Sequence, residues 1–157
     1  MSRNNICFLN FFSYRFTYFF KYFQIHRKYN YFMRCLRCGI CCTQTEMELS
    51  NSDIARLEKK GYVRQQFVKF DKYGYALLRN KKGHCFFYNQ AEKKCDVYAD
   101  RPAGCRVYPV IFHEEKGIII DNICSAKHTI TQQEKIRKGK RVIKLLEKID
   151  FEAKKPR

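Results

Sequence analysis

The chain has 157 residues, most simply one domain, and 45% of them are hydrophobic. It carries 32 Lys and Arg against 15 Asp and Glu, a formal charge of +17, and nine cysteines. No stretch approaches the roughly 18 apolar residues a membrane-spanning helix needs, so no transmembrane segment is expected. Arg3, Arg15, Lys21, Arg27 and Lys28 interrupt the N-terminal aromatics and leave no clean apolar signal core, so a cytoplasmic, reducing location is expected. In such a compartment a cysteine cluster binds metal or does chemistry, whereas disulfides are rare. The basic excess points to nucleic acid or another acidic partner, although a lysine-rich composition has blander sources.

Residues 1–32 hold 13 of the 25 aromatics and no acid. Phe11, Phe12, Phe16, Phe19, Phe20 and Phe23 give only a partial helical stripe. Three readings are open: a helix lying on a membrane surface, a segment packed over the rest of the chain, or a mis-assigned start. The composition is what AT-rich non-coding DNA encodes, and Met33 stands two residues before the first cysteine of the pattern below, so translation from Met33 is the expectation. From residue 33 onward 27 basic residues still oppose 15 acids.

Cys35, Cys38, Cys41 and Cys42 form a C-x2-C-x2-C-C run, and Gly39 inside it permits a tight turn. Ser50 and Asp53 form a capping box, with Leu49 and Ile54 as a hydrophobic staple, and Gly61 ends the helix they start. Short strands are expected at 67–70, 75–78, 85–88 and 95–98, with turns at 71–74, 80–83 and 89–94. Pro102 starts a helical turn and Pro109 stops it. A hairpin follows, with strands at 110–113 and 118–120. A last helix begins at the Thr131–Glu134 capping box; Ile136, Val142, Ile143, Leu145, Leu146 and Ile149 are its apolar side, and Gly139 weakens it. The equal spacing of Cys85, Cys95 and Cys105 comes with no matching neighbours, so no internal repeat is read.

Four thiols within eight residues are poorly placed to pair with one another and well placed to converge on metal. A zinc ribbon would show a second C-x2-C knuckle, whereas Cys85, Cys95, Cys105 and Cys124 stand alone. The run is like half of a ferredoxin-type motif, which points to an iron–sulfur cluster, with zinc as the alternative. Eight thiols allow one site or two. Adjacent Cys41 and Cys42 point different ways and need not share an ion. Arg101 and Arg106 bracket Cys105 with fixed positive charge suited to an anionic cluster. His84 abuts Cys85 as a supporting donor, while Cys7, His26, His113 and His128 have no assigned role.

Cys35-x-x-Cys38-Gly39-x-Cys41-Cys42, then Cys85, Cys95, Arg101-Pro102-x-x-Cys105-Arg106-x-Tyr108-Pro109 and Cys124, resembles the YkgJ-type cysteine-cluster family of zinc- or iron-chelating proteins. The resemblance spans about residues 33–125 and implies a metal-binding domain, of iron–sulfur type, without implying a reaction. A similar cysteine module occurs in flagellin lysine methylases, but this chain shows no Gly-rich nucleotide-binding unit.

The sequence therefore predicts an α+β fold: residues 33–157 as one small, irregular, metal-centred domain with short antiparallel strands and two helices. The metal ligands are drawn from Cys35, Cys38, Cys41, Cys42, Cys85, Cys95, Cys105 and Cys124, with Arg101 and Arg106 beside a 4Fe-4S cluster or zinc. The leading function is an iron–sulfur binding protein of unknown pathway, which either handles electrons with a redox partner or stabilises a partner. The alternatives are a zinc-stabilised domain that binds a polyanion such as RNA or DNA, and an enzyme for which no acid–base pair or nucleophile stands out.

Overall fold

The computed structural model describes residues 33–154; the aromatic segment 1–32, with its proposed mis-assigned start, lies outside the described residues. Ser50 is extended (φ −76°, ψ 156°) and caps α1, Asn51–Glu58. Its hydroxyl accepts from the Asp53 N–H at 3.2 Å, and the Asp53 carboxylate accepts from the Ser50 N–H at 3.3 Å. This is the expected capping box, and Leu49 and Ile54 are both buried in one core.

A single turn, α2 (Arg64–Phe67), leads into β1 (Val68–Phe70), which pairs antiparallel with β2 (Ala76–Leu78). The Asp71 carboxylate folds the connection by accepting from the N–H groups of Tyr73 (2.9 Å) and Tyr75 (2.8 Å). β3 (Asn80–Lys81) and β4 (His84–Cys85) form the next hairpin. Its two-residue loop puts both Lys82 and Gly83 at positive φ, 52° and 77°, as a turn matched to strand twist requires. β5 (Tyr88–Asn89) pairs with β6 (Lys94–Cys95).

The strands expected at 85–88 and 95–98 are therefore only two residues long in each case. Phe87 explains the first. It is 2% exposed and meets Tyr62 edge-on and Phe67 at ring distances of 4.9 and 5.4 Å, so the backbone turns inward between β4 and β5. The apolar run is a core plug, not a pleated edge. After Cys95 the chain enters a 3-10 turn, Tyr98–Asp100. The turn expected at 80–83 is half strand, because Asn80 and Lys81 pair with β4.

Pro102 precedes α3 (Ala103–Val107), as predicted. β7 (Val110–His113) and β8 (Gly117–Ile120) form the predicted hairpin, in the register Val110↔Ile120. The long helix α4 (Gln132–Ala153) packs on this hairpin and on α3. Its capping box is only half made. The Thr131 hydroxyl accepts from the Glu134 N–H at 3.1 Å, but the Glu134 carboxylate turns to the Met33 N–H (3.0 Å) and to Lys138 (3.1 Å). That choice shifts the buried face onto Glu134, Lys138, Val142 and Ile149, and leaves Ile136 and Ile143 outside at 52% and 37% exposure. Gly139 serves close approach: a Cβ there would come within 2.8 Å of the Ile118 side chain.

The fold is α+β, with two long helices as expected and two short ones besides. Among the described residues the strands make four separate two-stranded hairpins, and no helix is long and apolar enough to cross a membrane. One core gathers Leu49, Ile54, Leu57, Phe67, Leu78 and Phe87; a second gathers Val107, Val110 and Val142.

Asp53 ties the first core to α3. It is 1% exposed. Its second oxygen accepts from Arg56 at 2.6 Å and from the Ala103 N–H at 3.0 Å. Arg56 also donates to the carbonyls of Asp100 (3.2 Å) and Arg101 (3.1 Å). Asp53→Ala would strand these donors, and removing one partner of a buried, bonded charge pair costs about 3 kcal/mol or more. Chemical denaturation of the variant should show that loss; a change below about 1 kcal/mol, the scale of a lost cap alone, would mean the brace carries little.

Candidate metal centre

The cysteine run is folded by residues in the left-handed region: Arg37 (φ 56°), Gly39 (77°) and Gln44 (43°). Ile40–Cys42 form a 3-10 turn between them. Gly39 is required twice over, by its φ and because a Cβ would run into the Tyr88 hydroxyl. The run is sewn to β3 and β4. Gln44 N–H donates to the Gly83 carbonyl at 2.8 Å, Thr43 bridges to His84, and the Asn80 side chain bonds both backbone groups of Thr45.

All eight cysteines from Cys35 to Cys124 are free thiols, and all eight line one cleft of about 1100 Å³. The cleft is also lined by Leu78 and Phe87 of the first core and by Val110 and Val142 of the second. Cys85 is buried, Cys41, Cys42, Cys95, Cys105 and Cys124 are half-buried, and Cys35 and Cys38 are exposed. Cys41 Sγ and Cys42 Sγ are 4.0 Å apart. Among the described residues no three His, Cys, Asp or Glu side chains stand close enough to hold a single ion.

Burial and crowding set the thiol chemistry. A hydrogen bond from Cys42 lowers Cys41 to about 7, and the same contact, with burial and the nearby Cys41, Cys85 and Cys105, drives Cys42 up. Burial pushes Cys85 up to about 11. It also raises Cys105, which Cys85 and Cys41 push further while the Arg101 charge opposes. Cys95 is raised by burial and held back by the Val97 N–H and by Arg101. Cys124 is raised by burial, held back by the Ala126 N–H, and pushed by Cys41, Cys38 and Cys35. Cys42, Cys85, Cys95, Cys105 and Cys124 therefore hold their protons more tightly than free thiols until a cation replaces them, whereas Cys41 gives its proton up more readily.

One local shape recurs. The Arg37 N–H donates to Cys35 Sγ at 3.4 Å, and the amide two residues on also faces the sulfur at Cys85, Cys95 and Cys124. The residue two places after each later cysteine is buried: Phe87, Val97, Val107 and Ala126. An anchored apolar side chain thus turns each preceding sulfur toward the cleft. The signal was present in the sequence as four C-x-apolar triplets.

Arg101 lies over the Tyr98 ring at 4.1 Å and donates to the Tyr98 carbonyl at 2.7 Å. Arg106 binds the carbonyls of Arg101 (2.9 Å) and Ala99 (2.7 Å), so its guanidinium braces the turn that carries Cys105. His84 stacks on Tyr88 at 5.5 Å and bonds Gln90 through Nδ1. Tyr108, unremarked beyond its motif position, donates to Asp121 at 2.9 Å at the cleft wall, and burial raises its pKa.

These features define a cysteine-lined metal-chelating domain. Residues 34–142 match the family described as CxxCxxCC, "Putative zinc- or iron-chelating domain", and the chain belongs to that family. An uncharacterised protein of Methanocaldococcus jannaschii is 29% identical over 90 residues, covering 53% of this chain and 47% of its own length. The chain thus spans about half the length of the curated relative it matches. No solved structure matches it significantly.

Because Cys85 has its pKa raised on folding from 9.0 to about 11, the metal-free fold favours its protonated form. That contribution is complete below about pH 9 and is lost as pH rises towards 11, by up to about 3 kcal/mol. Denaturation of metal-free protein at pH 8 and pH 10.5 should show a loss that Cys85→Ser, lacking the titrating thiol, does not share. Equal slopes in the two proteins would mean that Cys85 ionises freely in the fold.

Proposed function

We propose that the protein is a cytoplasmic iron–sulfur protein whose cleft cysteines hold a 4Fe-4S cluster and which serves a redox partner. The observation that carries this reading is the convergence of the thiols: all eight, from both halves of the chain, line one cleft. A soft, all-thiol donor set suits either metal. The C-x2-C-x2-C run is like half of a ferredoxin-type motif and has no second C-x2-C knuckle of the kind a zinc ribbon shows, which favours the cluster.

Its ligands are drawn from the eight cysteines. Arg101 offsets negative charge near Cys95 and Cys105, and Arg106 fixes the backbone that carries them. One-electron transfer is the chemistry such a group supplies when bound. Anaerobically purified protein should be brown, with iron and acid-labile sulfide in equal amounts; a colourless protein with stoichiometric zinc would overturn the reading. Metal held across the cleft also joins the two cores, so chelation or Cys105→Ala should lower the melting temperature by about 10 °C or more, the effect of a few kcal/mol in a domain this small. An apo form melting as high as the holo form would count against it.

A second reading, a zinc-stabilised domain that binds nucleic acid, is favoured by the exposed Lys140, Arg141 and Lys144 of α4. Two of the helix's lysines are already engaged: Lys138 with Glu134 and the Tyr108 carbonyl, Lys148 with Ser52. On the leading reading, RNA binding seen at about 50 mM salt should vanish by about 200 mM, as weak non-specific phosphate contacts do. Retention there in a filter-binding assay would favour the second reading.

A further inference from the structure

The eight thiols of the cleft differ in what surrounds them. Cys85 belongs to the first core, and Cys42 and Cys95 pack against it. Cys105 sits on α3, whose first turn Asp53 and Arg56 fasten to α1 of that core. On the other side Cys35 and Cys38 are exposed. The Ser125 hydroxyl lies 3.6 Å from Cys38 Sγ as its donor, which brings the loop of Cys124 against the start of the cysteine run. Cys41 stands beside Cys42 but is not among the residues packed on the core.

We infer that the cleft comprises two four-thiol sites: an inner one of Cys42, Cys85, Cys95 and Cys105, and an outer one of Cys35, Cys38, Cys41 and Cys124. The assignment rests on the reading of the cleft as a metal centre. It divides the run in a way that chain order does not suggest, since Cys41 and Cys42 go to different sites. The 3-10 turn explains how. Successive side chains on such a turn leave the backbone about 120° apart, so the two sulfurs, 4.0 Å apart and hydrogen-bonded to each other in the metal-free protein, part to opposite sides once each has an ion to bind. Each site takes thiols from both halves of the chain, so neither is complete until the chain has folded around the cleft. Exposure then sets the order of exchange: the outer site gives up metal to solvent first, and the inner site keeps it longer.

The test is stepwise removal of metal from the full-length holoprotein with rising EDTA, with iodoacetamide labelling read by mass spectrometry and metal content measured alongside. Cys35, Cys38, Cys41 and Cys124 should label together while part of the metal remains, and Cys42, Cys85, Cys95 and Cys105 should label only with the last of it. Cys38→Ser should lose part of the metal and leave the inner four protected. Simultaneous labelling of all eight, a first group that mixes the two sets, or total metal loss in Cys38→Ser would overturn the two-site assignment while leaving a metal centre in place. Wild-type protein that carries no metal and exposes all eight thiols would overturn the metal-centre reading itself.

Discussion

The carboxylate of Asp53 is the contact on which the rest of the arrangement depends. One oxygen closes the N-terminus of α1 against Ser50, and the other holds Arg56 and the first amide of α3. A buried charge is costly unless every lone pair finds a donor, and here they do: among the described residues no buried side-chain oxygen or nitrogen is left without a partner. The side chain that starts the helix under the first core therefore also fixes where Cys105 enters the cleft. Packing alone would leave α3 free to slide, because it is a five-residue helix with Val107 as its buried side chain. The ion pair supplies the register.

The cleft lies between two small cores and is itself unfavourable in the absence of metal. It buries thiols beside apolar core side chains, and Cys85 and Cys105 have their pKa values raised by burial and by neighbouring sulfurs. Four hairpins, none extended into a wider sheet among the described residues, supply few long-range backbone bonds to resist opening. A cation answers both problems, because it replaces the thiol protons and ties the two walls together. Burial thus places the instability of the metal-free state where the binding energy acts. The same placement explains why the cysteines come from so many elements: ligands on one hairpin could bind metal without closing anything.

Much of this was legible from the chain itself where the cause was local. The Ser50–Asp53 box, the Pro102 start of α3 and the β7–β8 hairpin each depend on neighbours in sequence, and each formed as expected. The eight cleft cysteines were legible from their spacing. What was not legible depends on distant partners. Phe86 and Phe87 read as strand, yet the pull of Tyr62 and Phe67 on Phe87 turned the backbone. Ile136 and Ile143 read as core, yet Glu134 and Lys138 took the inner face of α4 because they bond to Met33 and Tyr108. The second role of Asp53 gave no signal beyond its place in a capping box. The C-x-apolar triplets do not stand out in the sequence, since the apolar residues differ in kind: Phe87, Val97, Val107 and Ala126 share burial, not identity.

The basic composition takes a different meaning once the cleft is in view. Arg37, Lys94, Arg101, Arg106, Lys138 and Arg141 all line it, with Glu46, Glu48, Asp121 and Glu134 as acidic counterparts. A centre of four thiolates with zinc, or with a cubane, carries about two negative charges net. Two such centres would cancel only about four of the positive charges, so a basic surface remains on any reading of the metal. The part of that charge nearest the thiols nevertheless has a local task. In a half-buried cleft, attraction between arginine and thiolate is screened less than at the surface, and the Arg101 charge already opposes the rise at Cys95 and Cys105. Arginine suits this task better than lysine, since its guanidinium stays charged when desolvated. Lys140 and Lys144 on the exposed face of α4 lie outside the cleft lining, so among the described residues their charge belongs to the surface that would meet a polyanion.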